Sequence, residues 1–112
     1  MHELGISRNI VAIVGEAAAG RRVRRVTLEI GKLSGAVSDA IAFCFDLAAQ
    51  GTVLEGAALD IREIDGLARC TACGTQFPMT TLLAACPCGS RRLTRIAGEE
   101  LNIKSIELDE VQ

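Results

Sequence analysis

The stretch CTACGTQFPMTTLLAACPCGS, residues 70–90, holds four of the chain's five cysteines and both of its prolines. On either side of it apolar residues recur at regular intervals, and inside it they do not. So short a segment with so few apolar positions cannot hold itself together by burying side chains. It reads as a module inserted into an otherwise regular chain and held by something other than a core.

The cysteines supply that something. Cys70 and Cys73 form a C-x-x-C pair and Cys86 and Cys88 a C-x-C pair, twelve residues apart. Two close pairs of thiolates, brought together by a short loop, are what a tetrahedral zinc site needs. Gly74 and Gly89 follow the second cysteine of each pair, where a glycine lets the turn open toward the sulfurs. Four thiolates close the coordination shell, so the site reads as structural, and metal binding would contribute folding free energy on the order of 10 kcal/mol. Spacing does not separate zinc from iron in a four-cysteine site. A thioredoxin-like redox pair would open a helix on a larger sheet and would have no use for Cys86 and Cys88.

Outward from the module the chain is periodic. Residues from about Leu4 to Ala19 read as a helix, with Ile6, Ile10, Ile13 and Ala17 on one side, Leu4 and Val14 near them, and Arg8, Ala12 and Glu16 opposite. Gly20 is its expected stop. Val26, Leu28 and Ile30 alternate with Arg25, Thr27 and Glu29 in a half-buried strand. Ser38 and Asp39 suggest a helix start. Ile41, Phe45 and Ala48 give that helix its stripe, flanked by Phe43, Cys44 and Leu47, with Gly51 at its end. Leu59 and Ile61 mark a second strand. After the module, ELNIKSIEL alternates again, with Leu101 and Ile103 on one face and Ile106 and Leu108 on the other. The expected fold is α+β: two helices packed on a small mixed three-stranded sheet, with a zinc-ribbon-like module inserted before the last strand. Cys44, inside an apolar run, is expected to be a buried and inert core thiol.

Composition narrows the function. The 112 residues carry a net charge of −2, which argues against a binder of phosphate backbones. The arginine pairs Arg21–Arg22 and Arg24–Arg25 read as a solvated turn running into a strand. The start, MHELGIS, lacks the basic region of a signal peptide, and no apolar run reaches membrane-spanning length. A cytoplasmic location is expected, where clustered thiols stay reduced and bind metal.

The chain's one histidine is residue 2. At that position the α-amine of Met1, the deprotonated amide nitrogen of His2 and the imidazole of His2 can close two adjacent chelate rings. That arrangement suits a square-planar or tetragonal ion such as Ni(II) or Cu(II). Glu3 can add a ligand or serve as a first-turn acid favoured by the helix dipole.

Taken together, MHELGIS at the start, GKLSG at residues 31–35, CTAC with CPCGS, and LNIKSIEL near the end resemble the HypA/HybF family of nickel-incorporation proteins for [NiFe]-hydrogenase maturation. The opening motif and Lys104–Ser105–Ile106–Glu107 are specific to that family; the cysteine pairs alone are not. The resemblance implies a metallochaperone and not an enzyme. Its nickel-binding α/β domain would comprise residues 1–66 and 99–112, and its zinc domain residues 67–98. Carried over, the nickel motif falls on Met1, His2 and Glu3, with Ni(II) as transient cargo. The zinc motif falls on Cys70, Cys73, Cys86 and Cys88. Implied partners are a maturation GTPase of the hydrogenase pathway (HypB-like) and the hydrogenase large subunit; some members also serve urease. Monomer and homodimer both stay open. The second cysteine pair is one residue shorter than the family's common C-x-x-C, which leaves the shape of that knuckle open.

Two other classes have distinct signatures. A zinc-ribbon module for RNA or DNA would show a basic face and stacking aromatics. A small iron redox protein would absorb visible light. No catalytic constellation is present in the sequence: no second histidine, no phosphate-cradling glycine loop, no nucleophile with a base.

Overall fold

The computed structural model describes residues 2–110. Its elements run α1 (Glu3–Ala18), β1 (Val23–Gly31), α2 (Ser38–Ala49), β2 (Ala58–Ile64), β3 (Leu67–Cys70), β4 (Gln76–Pro78), β5 (Leu93–Ala97) and β6 (Leu101–Leu108). They form two sheets. The first is mixed, in the order β2-β1-β6, with β1 parallel to β2 and antiparallel to β6. The second is antiparallel, in the order β4-β3-β5. The expected architecture of two helices, a mixed three-stranded sheet and a cysteine module before the last strand is present. The module's own three strands had no periodic signal, because strands of three to five residues are too short to show one.

The core lies between the helices and the inner face of the first sheet. Val14 and Ala18 of α1, Ile41 and Phe45 of α2, and Val26, Leu28 and Ile30 of β1 are its buried centre. Leu54, in the connection after α2, is fully buried and completes it; no periodic pattern marked it. The buried stripe of α1 is Ser7, Ile10, Val11, Val14 and Ala18. That corrects the expected face: Ile13 is 59% exposed, and Ala17 and Leu4 are exposed as well. The helix carries two neighbouring apolar stripes, and only one can meet α2 and the sheet. The other, through Ile6 and Ile13, flanks an open groove toward Leu101 and Ile103. In α2 the stripe is Ile41, Phe45 and Ala49, with Phe43 and Leu47 turned to solvent. Cys44 is half-buried beside this stripe and outside the core cluster, so it is not the buried core thiol expected.

The faces of β6 also differ from strict alternation. Leu28 pairs with Ile103 and Thr27 with Ser105, so Lys104 is an extra residue. This bulge shifts the phase by one, and Ile103, Ile106 and Leu108 all pack against the core. The helix termini differ in detail too. α1 ends at Ala18, with Ala19 in the left-handed region at φ 50°. The cap of α2 is Val37, and Ser38 is already helical. The four arginines before and within β1 are exposed and bind locally. Arg21 and Arg22 donate to the carbonyls of Asp109 and Glu55, and Arg24 and Arg25 pair with Asp109 and Glu107. Among the described residues no helix is long and apolar enough to cross a membrane.

The serine of MHELGIS is fully buried and joins the two helices: the Ser7 hydroxyl donates to the Ile41 carbonyl at 3.2 Å. Ser7→Ala leaves that carbonyl without its side-chain partner. It should lower the unfolding free energy by about 1 kcal/mol, measured by urea denaturation.

Candidate metal centre

Cys70 ends β3, Cys73 lies in the following turn, and Cys86 and Cys88 lie in the turns that lead toward β5. Their four sulfurs are all within 4.8 Å of one another. Cys70 Sγ and Cys88 Sγ are 3.7 Å apart, and Cys73 Sγ and Cys86 Sγ 3.6 Å. Tetrahedral ligation with metal–sulfur bonds of about 2.3 Å puts sulfurs about 3.8 Å apart, so the donor set fits one thiophilic ion. The pairs are far too distant for disulfides. Cys70 and Cys86 are buried and Cys73 and Cys88 exposed, which places the centre at the module's surface with two ligands anchored inside.

The two knuckles share one construction. In the first, the Gly74 amide donates to the Cys70 carbonyl at 2.8 Å and the Cys70 amide to the Thr75 carbonyl at 2.9 Å. In the second, the Gly89 amide donates to the Cys86 carbonyl at 2.8 Å and the Cys86 amide to the Ser90 carbonyl at 2.9 Å. The C-x-C turn is therefore the same closure made one residue shorter. Gly74 and Gly89 stand at φ 78° and 94°, a backbone region that suits glycine.

The thiols are tuned unequally. The Thr75 hydroxyl and backbone beside Cys73 hold its thiol down at about 6, helped by hydrogen bonding with Cys86. The Cys73 amide, with that of Ala72, lowers Cys70. The Cys88 amide, 3.5 Å from the Cys86 sulfur, pulls Cys86 down, but burial and the three neighbouring thiols outweigh it and push that group up to about 12. Four sulfurs crowded together cannot all carry charge without a cation among them. Thr75 had no motif to mark it.

His2 occupies the cap position of α1; it is exposed, and its side chain makes no capping bond. Its carbonyl accepts from the Ile6 amide at 3.1 Å. Glu3 is in the first turn, and its Oε2 accepts from the Val37 amide at 3.2 Å, which lowers its carboxyl pKa. Glu3 thus caps α2 across the fold, a role that sequence separation concealed. Met1, the third residue of the expected nickel motif, lies outside the described residues. Among the described residues, the four cysteines are the one group of three or more His, Cys, Asp or Glu side chains close enough to share an ion.

The match to known proteins spans the chain. The model of the family described as "Hydrogenase/urease nickel incorporation, metallochaperone, hypA" matches residues 1–108. The chain belongs to the HypA family. A hydrogenase maturation factor HypA from Trichormus variabilis is 60% identical over 111 residues, covering 99% of this chain and 98% of that one. HypA from Geobacter metallireducens is 46% identical over 110 residues, covering 97% of this chain and all of that one. The solution structure of the Ni metallochaperone HypA from Helicobacter pylori superposes with a TM-score of 0.71 at 24% identity, over 96% and 97% of the two chains, which establishes a shared fold. A HypA protein is a maturation factor of the nickel-incorporation machinery and not a catalyst.

Proposed function

We propose that this HypA protein takes up Ni(II) at its amino terminus and passes it to the large subunit of a [NiFe]-hydrogenase, with zinc as the resident ion of the four-cysteine centre. The observation that carries this reading is His2. It is the one imidazole of the chain, at residue 2, exposed and without a capping bond from its side chain. The ligands would be the Met1 amine, the His2 amide and imidazole nitrogens, and Glu3 at the periphery through the carboxylate oxygen that Val37 does not use. Nitrogen ligands at a chain terminus can exchange their outer partner easily, which suits handover to a client site richer in thiolate.

Residues 1–66 and 99–112 form the nickel-handling domain and residues 67–98 the zinc domain. The zinc domain presents a surface to partners, among them a maturation GTPase; nucleotide hydrolysis belongs to that partner. The protein works in the cytoplasm. Zinc, when bound by Cys70, Cys73, Cys86 and Cys88, supplies cross-linking of the two knuckles. A colourless protein as purified separates it from ferric iron.

The test is a calorimetric Ni(II) titration of zinc-loaded protein with its native start, beside His2→Ala and a form with Gly-Ser placed before Met1. Both changes should abolish a near one-to-one site while zinc stays bound. Equal binding by all three moves nickel elsewhere and sinks the terminal site. In the native form, affinity should fall as pH is lowered, because metal must displace protons from the α-amine and imidazole nitrogens.

A further inference from the structure

The charges of the chain are segregated. Residues 67–98 contain four arginines (Arg69, Arg91, Arg92 and Arg95) and no aspartate, glutamate, lysine or histidine. All 14 carboxylates lie in the rest of the chain. Arg95 pairs with Glu99. Arg69, Arg91 and Arg92 are exposed, and among the described residues none has an ion-pair partner. These guanidiniums stabilise no part of the fold that the structure shows.

One of them, Arg91, stands beside an apolar depression, together with the Glu99-paired Arg95. Met79, Leu82, Leu83, Ala84 and Leu93 wall a groove of about 150 Å³, and Arg91 and Arg95 form its rim. Leu82 is 52% and Leu83 79% exposed. Two adjacent leucines held in water on a module with little core of its own gain free energy when a partner covers them. We propose that this groove is a docking site for an acidic segment of a partner protein that carries an aliphatic side chain between carboxylates. The aliphatic group enters the groove, and the carboxylates meet Arg91, whose planar guanidinium donates two hydrogen bonds, and Arg95, where they take the place of Glu99.

The same features disfavour other occupants. A single-stranded nucleic acid needs stacking surfaces, and the groove has no aromatic wall. A bilayer needs a wider apolar face than two leucines give. A second copy could offer its own acidic body, and self-association is therefore one outcome of the test. The proposal rests on the reading that the cysteine module faces partners; it requires nothing of the nickel site.

The experiment uses the full chain loaded with zinc and no nickel. The probe is a fluorescein-labelled peptide with a central Leu-Leu flanked by glutamates, followed by anisotropy. Control peptides carry glutamine for glutamate, or serine for leucine. Binding should weaken about tenfold or more in Arg91→Gln/Arg95→Gln and in Leu82→Ser/Leu83→Ser, and should weaken with salt. Zinc content and amide NMR spectra verify that both variants fold. Equal binding of the glutamine peptide, or binding unchanged in both variants, overturns the proposal. So does a failure of the peptide to bind while phosphatidylglycerol vesicles, a single-stranded RNA or a second copy bind and lose affinity in the same variants. Peptide failure beside an intact terminal nickel titration removes the docking site alone.

Discussion

Cys86→Ser will strip the metal from the centre and unfold residues 67–98 while the helix–sheet body stays folded. The module has almost nothing else to hold it. Its buried apolar side chains besides Cys70 and Cys86 are Ala68 and Met79, and the main core cluster does not extend into it. Metal ligation on the order of 10 kcal/mol must replace the missing burial. Three sulfurs and a serine hydroxyl are a far poorer donor set for a thiophilic ion. Amide NMR should show collapse of the dispersed signals of 67–98 and retention of those of the two helices. Chelation of the unaltered protein should give the same spectrum. A module that stays dispersed without metal would contradict this account. The pH dependence has a definite sign. Protons compete for the sulfurs, so metal is lost as pH falls. With Cys73 held at about 6 in the metal-free centre, loading near neutral pH should release fewer than four protons per ion.

Gly31→Ala should cost about 4 kcal/mol, a magnitude reserved for mutations that force a clash the structure cannot relieve. Gly31 ends β1, and a Cβ there would lie 2.0 Å from the Gly98 carbonyl oxygen and 2.1 Å from its carbon. Gly98, at φ 111°, in turn has room for no Cβ, which would lie 2.6 Å from the Gly66 Cα. At Gly66 the added atom would fall 2.0 Å from the Met79 carbonyl oxygen. Four chain segments thus meet backbone on backbone at the junction of the two sheets. The Gly31 amide donates to Glu100 and the Leu33 amide to Gly98, both at 2.7 Å. Lys32 pairs with Asp65 at 2.7 Å across the same junction. Gly31, Lys32 and Leu33 of the GKLSG stretch all take part in this crossing. Gly51→Ala is the control, since Gly51 needs a positive φ of 76° but has open space around it; it should cost only about 1 kcal/mol. Equal midpoints for the two variants in guanidinium unfolding would show that the crossing is loose.

The sequence by itself determined the order of the two helices and the three strands of the first sheet, the α+β class and the four cysteines as one cluster. Each of these is written in local terms: apolar period for a helix or strand, and ligand spacing for a knuckle. The segregation of arginine was equally legible but had no meaning until the fold placed Arg91 and Arg95 beside Leu82 and Leu83. Tertiary structure alone decided which of two apolar stripes on α1 met the core and left Ile13 in water. It decided that one bulged residue, Lys104, turns Ile103 and Ile106 to the same side. It made Glu3 the cap of α2 from 34 residues away. It also brought Gly31, Gly66 and Gly98 into contact. Periodicity reports how much apolar surface an element has. Which part of that surface is used, and which distant backbone groups find partners, depends on contacts between segments far apart in the chain.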